Sequence, residues 1–376
     1  VRRLGLVLLL ALVLAQPAEA ARREAPIAFV PASRANYHAA HRGARSIRLI
    51  VVHTIEGTYG GAIAWFRNPR ARASANFVVA RDGRITEMVA PWNIAWHAGN
   101  GWVNDHSLGI EHEGYAGVPW LYTDAEYRAS ARLVASLLRR SHLRADRAHV
   151  IGHAEVPDPY HRGQFGGWAH HTDPGRFWNW PRYMTYVRSY AAGVEPPPLA
   201  FDVAVSTPTL MQRVSDVVTW QAEPAGDTPS RIDFLVDGAF AGTASAEPWS
   251  LAWDSYAVPN GKHVLTARAL SEDGSEANAS VLVVVQNVRV AITGSNLGDG
   301  DIVRGLVRVT TTVQGRPDRV EFSVDDVLRY TQTAAPYVFD SWDTSQETDG
   351  EHALTIRAIR RDKVVSSRKI RVVVVH

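Results

Sequence analysis

The chain has 376 residues, 46% hydrophobic and 21% charged, with a formal net charge of +2 and no cysteine. That length suggests two or three globular domains, and a balanced charge without a basic block argues against a nucleic-acid partner. The lack of cysteine excludes disulfides and Cys-rich zinc sites, so any metal must be held by nitrogen and oxygen ligands.

Residues 1–20 read as a secretory signal. Arg2 and Arg3 form its positive start, LGLVLLLALVLA its apolar core, and AEA, ending at Ala20, its cleavage site. The apolar run is short for a transmembrane helix and no other long one follows, so no span is expected after cleavage. Val1 in place of Met suggests an alternative start codon and a bacterial gene. Residues 21–45 are polar and rich in Arg and Ala, which predicts a loosely attached lead-in.

From 46 to 192 strand and helix signals alternate. SIRLIVVHT reads as a buried strand, and GGAIAWFRNP as a short helix stopped by Pro69. SANFVVARDGRITEMVA reads as two strands around an Asp82-Gly83 turn. SLGIEHEG is a further strand. TDAEYRASARLVASLLRRSH is the clearest helix, capped by Thr123 or Asp124, with Tyr127, Leu133, Val134, Leu137 and Leu138 on one stripe. HVIGH predicts a strand ending in His153, and PRYMTYVRSYAAG a closing helix with Gly193 past its end. Mixed strands flanked by helices make an α/β domain.

VEPPPLA marks an extended, Pro-rich linker over 193–200. Beyond it the chain is strand-like and contains an internal repeat. Phe234, Asp237, Pro248, Trp253-Asp254 and Gly261 recur as Phe322, Asp325, Pro336, Trp342-Asp343 and Gly350. The period of roughly 89 residues is the size of a β-sandwich. The pattern FxVDG…P(Y/W)…WD…GxHxLTAxA resembles bacterial immunoglobulin-like domains, which implies two all-β Ig-like sandwiches over 201–287 and 288–376. The paired Trp residues are expected in their cores. LGDGDIV, with Asp299 and Asp301, lacks the remaining ligands of a calcium loop and reads as a turn.

The chemistry concentrates in the first domain. His53 and His153 each end an apolar strand-like run, and Asp173 lies in a loop able to fold over them. Any one of them alone is more often structural than functional. Together they make a three-ligand site with one position open for water or substrate, as a catalytic zinc requires. Glu111 lies on an otherwise apolar strand, where a carboxylate is costly unless paired or functional, so it is a candidate general base. Glu113 shares its face, and the spacing does not choose between them. His171, two residues before Asp173, can stabilise an oxyanion. His161 and His170 read as loop neighbours. Trp96, Trp92, Trp65 and Tyr59 are candidate apolar walls for a sugar or peptide. With no Cys and no G-x-S-x-G elbow, a Ser or Cys hydrolase is disfavoured.

The strings IVVHTIEGTYGGAIAWFRNP, NFVVARDGRITEMV, AWHAGNG, SLGIEHEGY, VIGHAEV and HTDPGRFWNW resemble the zinc-dependent N-acetylmuramoyl-L-alanine amidases. That family also includes phage T7 lysozyme and the peptidoglycan recognition proteins. The strings occur in family order and span residues 46–192. The resemblance implies Zn2+ on His53, His153 and Asp173, with Glu111 catalytic. It places His97 and Asn76 along the substrate groove, Asn76 standing where many relatives carry His. His171 stands where many carry Lys, and the domain has no Lys at all. The implied function is a secreted hydrolase, extracellular or periplasmic, cutting the amide between N-acetylmuramic acid and L-alanine of peptidoglycan stem peptides. It is expected to be a monomer, with Ig-like modules that bind cell-wall polymer. The rival readings are a non-catalytic peptidoglycan-binding protein on the same fold and a surface adhesin working through its Ig-like tail.

Overall fold

The computed structural model describes residues 27–157 and 171–376. They fall into two compact units, one of residues up to 116 with 124–196, the other of 117–123 with 197–376. The signal expected over 1–20, and His161 and His170, lie outside the described residues. Among the described residues no helix is long and apolar enough to cross a membrane.

The first unit is built on a six-stranded mixed sheet. Its strands are β1 (Ala28–Phe29), β2 (Leu49–Thr54), β3 (Phe77–Val79), β4 (Ile85–Glu87), β5 (Ser107–His112) and β6 (Val150–Gly152). Their order is β1-β4-β3-β5-β2-β6. β3, β5, β2 and β6 are parallel, β4 opposes β3, and β1 lies parallel to β4. β2 lies between β5 and β6 and is buried along its whole length, which explains its unbroken LIVVHT run: a strand covered on both faces has no polar face to alternate. The β3–β4 hairpin turns where expected, with Gly83 at φ +86°.

Four helices accompany the sheet: α1 (Tyr59–Arg67), α2 (Gly101–His106), α3 (Asp124–Arg140) and α4 (Trp180–Ala191). Thr58 caps α1 and Asn179 caps α4. α3 buries the expected stripe and carries Asp124 and Glu126 in its first turn and Arg139 and Arg140 in its last, each favourable to the helix dipole. Asp124 ties it to α4 by accepting from the Tyr186 hydroxyl at 2.7 Å and from Arg182 at 2.5 Å. The short α2 has no apolar stripe that would announce it. It is nucleated by Asn100, whose side chain accepts from the Val103 N–H at 3.1 Å.

The lead-in expectation needs correcting. β1 pairs with β4, and Asn36 is fully buried. The Asn36 amide donates to the Phe66 and Asn68 carbonyls at 2.8 Å each and accepts from the Arg72 N–H at 3.0 Å. Residues 28–45 are thus part of the first unit. Their polar composition misled because side-chain and edge-strand hydrogen bonds supplement a small apolar anchor in which Ala32 is buried and Val30 and Tyr37 pack beside it.

In the second unit each repeat pairs a three-stranded with a five-stranded sheet, in the same order in both copies. Trp220, Phe234 and Trp253 centre the first core, and Phe322, Phe339 and Trp342 the second. The paired tryptophans are core residues as expected, Trp253 at 4% and Trp342 at 2% exposure. Asp237 and Asp325 occupy matching turns at φ +49° and +46°. Each accepts from a His ring at 2.6 Å (His263 and His352) and from a backbone N–H at 2.8 Å.

Candidate active site

Ligands in open α/β sheets sit beyond the carboxyl ends of parallel strands. His53 is near the end of β2, Glu111 near the end of β5, and His153 directly follows β6. Asp173 joins them from the following loop, and its carbonyl accepts from the Ala154 N–H at 2.8 Å.

One ligand atom from each of His53, His153 and Asp173 lies within 4.8 Å of the others. His53 Nδ1 is 3.4 Å and His153 Nδ1 3.1 Å from the Asp173 carboxylate, which also accepts from the Thr54 N–H at 3.2 Å. Burial, reinforced by the neighbouring His153, lowers the His53 pKa to about 4. Burial pushes Asp173 up, but its close contacts with His153 and His53 outweigh it and hold its carboxyl well below the usual range. His53 is thus a neutral imidazole beside an ionised carboxylate. Two imidazole nitrogens and a carboxylate oxygen, with no sulfur, form the donor set zinc takes in hydrolytic sites.

Glu111 and Glu113 are told apart by their partners. Glu113 accepts from the Tyr59 and Arg81 N–H groups at 3.0 Å each, so it braces backbone. Glu111 is half-buried, and its Oε2 is shielded from solvent with no hydrogen-bond partner among the described residues. Burial, then the charges of Asp173 and Glu56, raise its pKa to about 8. A raised carboxyl beside such a cluster is a candidate proton-handling group.

His171 is exposed and stacks on His153, with ring centroids 3.6 Å apart and planes 17° apart. It stands at the rim beside Gly99, where a Cβ would come within 3.1 Å of its Nε2. Trp96 is half-buried. Tyr59 is half-buried too, and its hydroxyl pairs with Thr86 Oγ1.

Two expected groove residues lie elsewhere. Asn76 is fully buried. It donates to the Val89 carbonyl and accepts from the Gly109 N–H, at 3.0 Å each, so no amide atom is spare for substrate. His97 is 9% exposed, and its Nδ1 lies 2.9 Å from His53 Nε2. Burial, then the adjacent His53, lowers its pKa well below the ordinary value. Trp92, offered as a wall, lines a cavity of about 530 Å3 against α3 with Phe77, Leu133 and Arg140.

Sequence reasoning missed His112. It points to the opposite face from Glu111, hydrogen-bonds the His53 carbonyl at 2.9 Å and Ser130 Oγ at 2.6 Å, and Ser130 reaches the Tyr183 hydroxyl at 2.7 Å. Burial lowers its pKa to about 3. A polar chain from α3 and α4 thereby pins the backbone of a candidate ligand residue. The only sequence signal was a histidine at the end of an apolar strand.

Residues 43–176 match the family model described as N-acetylmuramoyl-L-alanine amidase, and 202–267 and 290–356 each match that of the bacterial Ig domain. N-acetylmuramoyl-L-alanine amidase A of Achromobacter lyticus is 34% identical over 174 residues, covering 42% of this chain and 90% of that protein. The chain belongs to the N-acetylmuramoyl-L-alanine amidases. The amidase is also 31% identical over 123 residues to 1,6-anhydro-N-acetylmuramyl-L-alanine amidase AmpD of Haemophilus influenzae, covering 31% of this chain and 60% of that one. Among solved structures it is similar to a selenomethionine AmpD derivative at 29% identity, covering 43% of this chain and 95% of that one, with a TM-score of 0.35. The amidase is thus a hydrolase of the amide between N-acetylmuramic acid and L-alanine, carrying two Ig-like modules.

Proposed function

We propose that this amidase is exported and works as a zinc enzyme on intact cell-wall peptidoglycan. It would cut between the lactyl group of N-acetylmuramic acid and the first residue of the stem peptide. The observation that carries the reading is the convergence of His53, His153 and Asp173 beside a carboxyl with an unpartnered Oε2, all at one end of the parallel strands.

His53, His153 and Asp173 would hold the metal. A bound zinc supplies Lewis acidity toward a carbonyl and toward water. Glu111 takes a proton from the attacking water and hands it to the departing alanine amine, a task for which a carboxyl near neutrality is suited. The water oxygen bonds to the lactyl carbon, the carbon–nitrogen bond breaks, and the proton ends on the amine. His171, at the rim, donates to the oxyanion that develops between these events. Tyr59 and Trp96 supply apolar wall to the groove. Export rests on the signal-like residues 1–20, and the Ig-like modules are assigned to holding wall polymer.

The test is digestion of purified peptidoglycan with and without a zinc chelator. New alanine amino termini without new reducing sugar ends, lost with chelator and regained with zinc, are the expected result. Sedimentation with the wall but no new termini, despite bound zinc, overturns it.

A further inference from the structure

We propose that His97, held by Ser107, is a positioning residue that fixes the tautomer and orientation of His53 so that Nδ1 faces the metal position. The inference rests on the metal reading above but reaches a residue outside the ligand set.

The proton count follows from the hydrogen bonds. Ser107 Oγ lies 2.6 Å from the Val103 carbonyl oxygen, which only accepts, so the single hydroxyl proton is committed there. His97 Nε2, 3.1 Å from the same Oγ, must then be the donor. In a neutral ring that leaves a lone pair on His97 Nδ1. His53 Nε2, 2.9 Å away, therefore carries the proton and donates. His53 Nδ1 is left with its lone pair toward the Asp173 carboxylate, 3.4 Å off. Two lone-pair atoms facing each other at that distance suit a cation between them.

The seat of His97 is purpose-built. A Cβ on Gly109 would lie 2.4 Å from His97 Cγ, so the ring packs directly against bare strand backbone. Asn76 holds that backbone from the other side, its N–H donating to the Gly109 carbonyl and its Oδ1 accepting from the Gly109 N–H, both at 3.0 Å. Asn104 Oδ1 accepts from the N–H groups of His97 and Ala98 at 3.1 and 2.9 Å. His153 differs: among the described residues its buried Nε2 has no partner, so only the His53 ring is held through its far nitrogen.

The experiment uses the full chain. Nitrogen NMR of the metal-stripped protein should show His53 protonated on Nε2, and zinc affinity is read by competition with a chromophoric chelator. His97→Phe keeps ring volume but has no acceptor, and should weaken zinc binding about 10–100-fold. His97→Gln, whose amide can both accept and donate, should restore most of it. Ser107→Ala should leave the fold intact and give His53 a mixed tautomer. Proton on His53 Nδ1, or zinc held as tightly by His97→Phe as by the parent, overturns the proposal. Failure of the parent to bind zinc instead overturns the metal reading, and the metal-free tautomer still decides this one.

Discussion

His53 and Glu111 are register partners on the adjacent parallel strands β2 and β5. Partners in register share a face of the sheet, so a candidate metal ligand and the candidate proton carrier are aligned by backbone pairing alone. The next residue, His112, turns to the other face and hydrogen-bonds the His53 carbonyl. One strand end thus aims the chemistry on one face and anchors it on the other.

The ligand and the proton carrier should separate by mutation. Asp173→Ala loses zinc, because the remaining two imidazoles do not complete the site. Glu111→Ala keeps zinc and loses turnover by about 100-fold or more, the usual worth of a general acid–base group. Metal content by elemental analysis, set beside the rate of alanine release, checks both. Full activity in Glu111→Ala removes it from the mechanism.

The metal-stripped chain should show the raised Glu111 carboxyl in its stability. Its folded pKa of about 8 lies above the free value of 4.5, so the folded state holds the proton more tightly. That contribution is complete below pH 4.5 and is lost as pH rises through about 8. Glu111→Gln lacks this dependence. The thermal midpoint of Glu111→Gln relative to the parent should therefore climb across that window. A flat difference contradicts the burial assigned to this carboxyl.

Gly109→Ala should disturb the site without touching a ligand. The new methyl meets the His97 ring at 2.4 Å, and overpacking of this kind costs about 1–3 kcal/mol. A urea transition measures the stability, and chelator competition the zinc affinity, which should fall as His97 is pushed from His53.

Trp342→Ala should damage the second unit while sparing the chemistry. Its ring is 2% exposed, and removing it leaves a cavity worth about 3–5 kcal/mol. Chemical denaturation should register the loss, while cleavage of a soluble muropeptide stays at the parental rate.

Asp254→Ala tests the join between the two repeats. Asp254 accepts from Arg360 at 2.8 and 3.0 Å, and Arg360 is only 9% exposed and lies over the Tyr256 ring at 3.7 Å. Arg360 Nη1 keeps the Arg316 carbonyl, so the loss falls on Nη2, and breaking this charged pair should cost about 1.5–3 kcal/mol. The unfolding transition of the full chain reads it, and an unchanged midpoint would show that water replaces the carboxylate.

The linear chain by itself determined the two classes of architecture and the Ig-like repeat, and it nominated three candidate metal ligands and a short list of acids. These were legible because strand periodicity, a Pro-rich break, recurrent Trp-Asp pairs and histidines closing apolar runs are local signals. Tertiary structure alone gave Glu111 and Glu113 different surroundings, which spacing could not separate although the family resemblance favoured Glu111: Tyr59 and Arg81 engage Glu113, while Glu111 Oε2 meets no partner among the described residues. It moved Asn76 and His97 from the groove to the support of β5 and His53, and it drew residues 28–45 into the first unit. Each of these outcomes rests on hydrogen bonds between residues far apart in the chain. A buried polar side chain takes its role from the partner that satisfies it, and that partner is set by packing rather than by spacing.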